Sequence, residues 1–267
     1  MNLEPADLAA LVRRSRLAAA VGAAIGTSCY LVGALGSMPD AAVGALLVVP
    51  ILLAIAHQLV FRQLGWRSAR APQAFLLDRN GFAAARPQTP YGAGLIIGCA
   101  LVAGRLATIE GKLTALGGLA FFTAVTIWCG TRLFLGPYLV IGPAGLTVGT
   151  NTIRWDAVWP EGPPAPGKFA RSLRVPVVPG TSGADRPGVS ASSWDRLRER
   201  GLNEEVDELL ANDPSLVKEG PPSVPIDLRW VTVDRTFLAG AIRYYRANPE
   251  ARPAIGTEAG HAQLATR

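Results

Sequence analysis

Four long apolar stretches occupy the first half of this chain and constrain its fold more than any other feature. They run from Leu17 to Gly36, from Ala41 to Phe61, from Tyr91 to Ile109 and from Leu113 to Leu135. A helix of about 20 apolar residues crosses the hydrocarbon core of a bilayer, where lipid offers backbone polar groups no partner. The sequence therefore predicts a membrane all-α region of four transmembrane helices.

Short connections predict that these helices form two antiparallel hairpins. Residues 37–40 join the first pair and residues 110–112 join the second. We therefore divide this part into a cytoplasmic segment 1–16, hairpin 17–63, a loop with a short β-turn unit 64–90, and hairpin 91–135. A cleaved signal peptide is an alternative for the first helix, but the apolar run is longer than the usual core of roughly 7–15 residues.

Composition and charge agree with a membrane protein. The chain is 49% hydrophobic and 17% charged, against roughly 25% charged residues in soluble domains. Its net charge of +6 reflects arginines before the first helix and between the second and third, which predicts a multi-pass cell (inner) membrane protein with both termini cytoplasmic. No basic tract is interleaved with aromatic residues, so we expect no nucleic-acid partner.

Small and polar residues inside the predicted helices have two interpretations each. The pairs Gly22/Gly26 and Gly94/Gly98 have GxxxG spacing, which favours close helix packing within the chain or in a dimer, and the oligomeric state stays open. His57 and Arg105 could mark an ion path, but both lie near helix ends, which favours an interfacial position. The three cysteines fall inside predicted helices and indicate neither a disulfide framework nor a metal site.

A short internal repeat follows each predicted hairpin. Phe75 to Phe82 and Leu139 to Leu146 each contain a three-residue apolar run, a three-residue turn, a glycine and an apolar residue. Gly81 and Gly145 suit a turn position with positive φ, flanked by short strands. The sequence predicts that the first copy docks against the domain formed by the second.

The region from Tyr138 onward predicts consecutive antiparallel strands followed by one amphipathic helix. Asp234 is a plausible N-cap, and the helix is expected to stop before Asn248, which precedes a proline. Between residues 160 and 225 a Pro-rich insertion with a helical stretch at 204–210 interrupts the strands, and residues 258–267 are expected to form a disordered tail.

Two groups of residues carry a resemblance to a known family. They are Gly142–Leu146 with Ile153–Val158, and Phe237–Arg252 with Ile255–Thr257. These segments resemble the actinobacterial PH-domain-containing multi-span membrane proteins, whose function is uncharacterised. The resemblance implies a cytosolic α+β PH-like domain over residues 138–257 with a C-terminal amphipathic helix, acting as a noncatalytic binding module for protein or lipid.

Basic residues in the insertion and its flanks are candidates for contacts with anionic lipid headgroups. They are Lys168, Arg171, Arg174 and Arg186. Each basic residue near the inner leaflet contributes about 1 kcal/mol of attraction. A solvated loop is the alternative interpretation.

The sequence gives little support to an enzyme. Gly162 to Phe169 resembles a phosphate-binding loop, but three prolines remove backbone donors and Phe169 replaces the metal-binding hydroxyl. His57 and His261 are the only imidazoles, so we expect no catalytic residues, no cofactor and no metal site.

We therefore expect a scaffold or sensor in the lipid bilayer that binds a protein partner or inner-leaflet lipid at the cytoplasmic face. The alternative is a small transporter or membrane-complex subunit regulated by its cytosolic domain. Buried polar side chains at the middle of the helices would favour the transporter.

Overall fold

The computed structural model describes residues 3–35, 46, 48–65, 71–107, 113–167, 170–178 and 221–266. The chain divides into two compact units. The helical unit contains residues 7–71 and 86–136, and the strand unit contains residues 1–6, 72–85 and 137–267. The strand unit is therefore assembled from stretches far apart in the sequence.

The helical unit contains four α-helices among its described residues. They are α1 (Pro5–Leu35), α2 (Val48–Val60), α3 (Thr89–Ala107) and α4 (Leu113–Phe134), with a 3₁₀ turn at Arg62–Leu64 after α2. The predicted connections at residues 37–40 and 110–112 lie outside the described residues.

Glycines bring α3 and α4 into close contact. A Cβ added to Gly94 would lie 2.6 Å from the Sγ of Cys129, and one added to Gly98 would collide with the Oγ1 of Thr126. Only a residue without a side chain lets the two helix backbones approach this closely.

The glycines of α1 have the same role. A Cβ on Gly22 would lie 3.0 Å from the Cδ1 of Ile96 in α3, and one on Gly26 would lie 3.1 Å from the Cβ of Pro50 in α2. All four GxxxG glycines thus lie at contacts between helices of the same chain.

The prediction of four transmembrane helices in two hairpins is wrong. Within the described residues, one helix is long and apolar enough to cross a membrane, over the 18 residues Gly117–Phe134. As described, Val48–Val60 in α2 has 13 residues, or about 20 Å at about 1.5 Å per residue, against a hydrocarbon thickness of about 30 Å. In α3 the described apolar stretch, Thr89–Ala103, is also shorter than 18 residues. Apolar runs in the sequence here also mark helix-to-helix packing, which hydropathy alone does not separate from contact with lipid.

The strand unit contains seven described strands in two antiparallel sheets. The five-stranded sheet has the order β1 (Leu76–Asp78), β2 (Gly81–Ala84), β3 (Leu139–Gly142), β4 (Gly145–Val148) and β5 (Asn151–Arg154). The second sheet pairs β6 (Ser172–Pro176) with β7 (Ser223–Asp227). The predicted docking of Phe75 to Phe82 is confirmed, because β2 pairs with β3 and places Phe82 opposite Ile141.

The two copies of the internal repeat share one geometry. Gly81 (φ 139°) and Gly145 (φ 158°) end the turns of the β1–β2 and β3–β4 hairpins, pairing with Asp78 and Gly142 respectively. A Cβ on Gly81 would collide with the carbonyl oxygen of Ile141. A Cβ on Gly145 would collide in the same way with that of Ile153 in the next strand. Each turn therefore requires glycine because the following strand runs directly against it.

The expected PH-like domain also needs correction. The described strands form two sheets linked by an isolated bridge between Val158 and Val177, rather than one barrel of continuously paired strands. The core between them includes Phe75 and Phe82 from the central loop, whose rings stack at 5.7 Å. A domain bounded at residue 138 therefore lacks part of its own core.

Two helices complete the strand unit. Helix α5 (Arg235–Ala247) begins where the sequence predicts, with the carboxylate of Asp234 accepting hydrogen bonds from the backbone N–H groups of Thr236 and Phe237. Helix α6 (Glu258–Ala265) is capped by Thr257 and buries His261 and Leu264. The prediction of a disordered tail at 258–267 is therefore wrong. The predicted helical stretch at 204–210 lies outside the described residues.

Candidate lipid-binding surfaces

Helix α4 exposes several large apolar side chains. Only 11% of the residues in Gly117–Phe134 are buried, and Phe121, Ile127 and Phe134 are 63%, 60% and 55% exposed. Soluble monomers rarely expose large contiguous apolar patches. Helices α1 and α2 add further exposed apolar side chains, among them Leu17 and Leu59. This surface is suited to an apolar environment.

Buried polar side chains of the helical unit gather where α2 ends and α3 begins. The Nε2 of His57 lies 3.1 Å from the carbonyl oxygen and 3.2 Å from the Oγ of Ser15. The Nε of Arg16 donates to the Oε1 of Gln88 at 3.4 Å. Gly92 lies directly against the imidazole ring, leaving no room for a Cβ. These groups occupy one end of the helices, which favours the interfacial interpretation of His57 over an ion path.

Aromatic and basic residues lie at the C-terminal end of α4. The rings of Tyr91 and Trp128 meet edge to face at 5.5 Å, and the guanidinium of Arg132 lies 5.9 Å from the centre of the Trp128 ring. The guanidinium of Arg16 lies 5.9 Å from the ring of Phe134. Trp, Tyr and Arg are the residues that membrane proteins place at the boundary between hydrocarbon and headgroups.

A second surface, on the strand unit, is basic. Arg174 projects outward from β6, next to Leu173 and Val175, which are buried. Arg171 precedes β6, and its carbonyl oxygen accepts a hydrogen bond from the N–H of Leu228. That bond holds the backbone of Arg171 against Leu228, the residue before Arg229. We call these three exposed arginines, Arg171, Arg174 and Arg229, the basic face.

One carboxylate accompanies the basic face. The Nη2 of Arg229 lies 2.6 Å from the Oδ2 of Asp227. Burial alone would raise the pKa of Asp227, but the hydrogen bonds and the charge of Arg229 outweigh it and lower that pKa. Asp227 therefore stays ionised and balances Arg229.

The basic face includes two of the four residues predicted to contact headgroups. Lys168 and Arg186 lie outside the described residues. No sequence pattern links Arg229 to Arg171, so Arg229 was not among the predicted residues. The pairing of Ser172 with Asp227, which brings these segments together, becomes visible only in the sheet.

The described residues contain no group of three His, Cys, Asp or Glu side chains that could hold a metal ion. Comparison with family models, with curated proteins and with solved structures finds no match to this chain. The resemblance to PH-domain-containing membrane proteins thus stays a prediction.

Proposed function

We propose that this chain is a noncatalytic integral membrane protein, inserted through α4, whose strand unit binds anionic lipid headgroups at the cytoplasmic face. The observation that carries the proposal is the exposure of α4. A core helix of a soluble protein is mostly buried, whereas only 11% of the residues in Gly117–Phe134 are buried. The 18-residue, mainly apolar stretch Gly117–Phe134 extends about 27 Å at about 1.5 Å per residue, close to the hydrocarbon thickness of about 30 Å.

Residues at the C-terminal end of α4 support placing that end of the helical unit at the cytoplasmic side. Trp128, Tyr91 and Arg132 provide interfacial contacts at the C-terminal end of α4. Exposed Arg13, Arg14 and Arg62 flank the segments that meet at this end. An excess of arginine marks the cytoplasmic side of membrane proteins.

The basic face supports the choice of an anionic lipid as the ligand. Among the described residues it presents the exposed Arg171 and Arg174 beside the Arg229–Asp227 ion pair. Phosphate and carboxylate groups of lipid headgroups match this chemistry, and arginine binds them in a bidentate manner. We propose this face, rather than a catalytic centre, as the functional part of the strand unit.

Membrane insertion is tested by alkaline carbonate extraction of cell membranes. We expect the wild-type chain to stay in the membrane fraction. The Phe121→Arg/Ile127→Arg variant should be extracted, because a charge near the bilayer centre costs about 2.5–3.5 kcal/mol per residue. Leu77→Arg, at an exposed apolar residue of the strand unit, is the matched control and should stay in the membrane. Extraction of the wild-type chain would contradict insertion.

Headgroup binding is tested by flotation of the full chain, held in phosphatidylcholine nanodiscs, with separate vesicles. We expect attachment to vesicles containing phosphatidylserine and none to pure phosphatidylcholine vesicles. Arg171→Gln/Arg174→Gln should weaken attachment about 30-fold, from about 1 kcal/mol per arginine. Arg154→Gln, at an exposed arginine of β5, is the control. Equal attachment to both vesicles would refute the role of the basic face and leave insertion untouched.

A further inference from the structure

A cleft lies on the strand unit between α5, the end of α6 and Gln73. Its volume is about 400 Å³, within the range of roughly 300–1,000 Å³ that is usual for small-molecule sites. Phe237 and Leu264 supply apolar surface, and Arg243 and Tyr244 supply polar groups. The cleft combines an apolar floor with a few polar groups, as ligand sites usually do.

Gly240 occupies a position where the fold itself does not require glycine. It lies in the middle of α5 and lines the cleft. No atom lies within 4 Å of the place where its Cβ would be. Glycine inside a helix costs about 1 kcal/mol relative to alanine. Because Gly240 has no side chain, this wall of the cleft stays open.

Arg243 lies half-buried in the same wall. Its side chain passes against Gly162, where an added Cβ would lie 2.8 Å from the Cγ of Arg243. Gly162 has a φ of 67°, so a larger residue there is disfavoured and the stem of Arg243 keeps its place. A partly buried guanidinium is stabilised when an anion pairs with it.

The described residues supply no ion pair to Arg243. The nearest carboxylate in sequence belongs to Glu161, which precedes Gly162; its Oε2 accepts a hydrogen bond from the Nε1 of Trp159 at 2.8 Å, and it lies too far from Arg243 to form an ion pair. The carboxylate of Asp234 caps the start of α5, nine positions before Arg243. That separation is about 13 Å along the helix axis. The positive end of the cleft is therefore at Arg243.

We propose that this cleft binds a small amphiphilic anion. Its carboxylate or phosphate pairs with Arg243, and its apolar body lies across Gly240 on Phe237 and Leu264. Asp234 at the far end disfavours a second anionic group, so the ligand carries one anionic head group on a neutral body. This site is separate from the basic face and does not depend on headgroup binding there.

The test uses the full chain in phosphatidylcholine nanodiscs and fluorine NMR relaxation of three probes. The probes are 4-fluorobenzoate, 4-fluorophenyl phosphate and the neutral 4-fluorobenzyl alcohol. We expect saturable binding of at least one anion at millimolar concentration and weaker binding of the alcohol. The two anions distinguish a preference for carboxylate from one for phosphate.

Variants locate the binding. Arg243→Gln should weaken the anion about tenfold or more, since a charge-assisted contact is lost, and Arg243→Lys should recover part of it. Gly240→Leu should block the cleft while α5 stays folded, which tryptophan fluorescence checks. Arg154→Gln should bind like the wild type. The proposal is overturned if neither anion binds, if the alcohol binds as tightly, or if Arg243→Gln binds as the wild type does.

Discussion

His261 shows how much depends on single buried side chains in this fold. It lies among aromatic residues, with its ring 6.1 Å from Phe82 and 6.2 Å from Phe237. Its Nε2 accepts a hydrogen bond at 3.4 Å from the backbone N–H of Phe75. Burial lowers the pKa of His261, because the charged imidazolium is disfavoured in this apolar site. The neutral ring therefore holds α6 to the start of β1.

We predict that acid destabilises the strand unit through this histidine. Its pKa is lower in the folded than in the unfolded chain, so the unfolded state binds more protons at mildly acidic pH. The contribution is fully present above about pH 6.5 and is lost as the pH falls below that value. Denaturant unfolding followed through Trp155 and Trp159 measures the effect. His261→Gln should flatten the pH dependence, and an unchanged slope would show that another group is responsible.

We predict opposite effects for alanine at two glycines. Gly81→Ala should destabilise the strand unit by about 1–3 kcal/mol, because positive φ and a collision with the neighbouring strand both oppose a Cβ. Gly240→Ala should stabilise it by about 0.5–1 kcal/mol, because alanine favours the helical conformation more than glycine does and the added Cβ meets no neighbouring atom. The same unfolding measurement compares them. Similar effects of the two changes would contradict the turn geometry.

Residue-level prediction from sequence works where neighbours in the chain determine the structure. The cap at Asp234 and the turns at Gly81 and Gly145 depend on a few adjacent residues, and these predictions agree with the structure. The burial of His261 depends on a residue 186 positions away. No local sequence pattern indicates such a long-range contact, so the sequence predicted a disordered tail.

At the scale of elements, close approach between α3 and α4 depends on small residues. We predict that Gly98→Leu separates these helices and lowers the thermal stability of the helical unit, because Thr126 already lies where the new side chain would go. Gly117→Leu in α4 is the matched control, since no atom lies within 4 Å of its Cβ position. Light-scattering melts of the purified protein compare both, and equal melting temperatures would contradict tight packing at Gly98.

Length and apolar character must occur together in a membrane-spanning helix. Runs of Ala, Gly, Leu and Val suit both helix packing and lipid contact. In α1, for example, Ala19 is buried and Gly22 packs against Ile96 of α3. A hydropathy value does not distinguish apolar residues that pack between helices from those that contact lipid. Among the described helices, α4 alone contains a stretch both long enough and apolar enough to cross a membrane.

At the scale of the whole molecule, the strand unit depends on a segment that the sequence separates from it. The β1–β2 hairpin lies between α2 and α3 in the chain but pairs with β3. Thr232 donates from both its backbone N–H and its Oγ1 to the carbonyl oxygen of Ala85, at 2.7 and 2.9 Å. The internal repeat indicated this docking, whereas the positions of Arg171 and Arg229 in the basic face required the complete sheet.

We therefore predict that residues 138–266 do not fold alone. Without β1–β2, the fragment loses Phe75 and Phe82 from the core and exposes the edge of β3. Joining residues 71–86 to its N-terminus through a flexible linker should restore a dispersed amide NMR spectrum. In the full chain, Phe82→Ala should cost about 3–5 kcal/mol, whereas Leu77→Ala, at a partly exposed side chain of the same hairpin, should cost far less. A well-folded fragment without the hairpin would show that β3 to β7 and α5 suffice for the core.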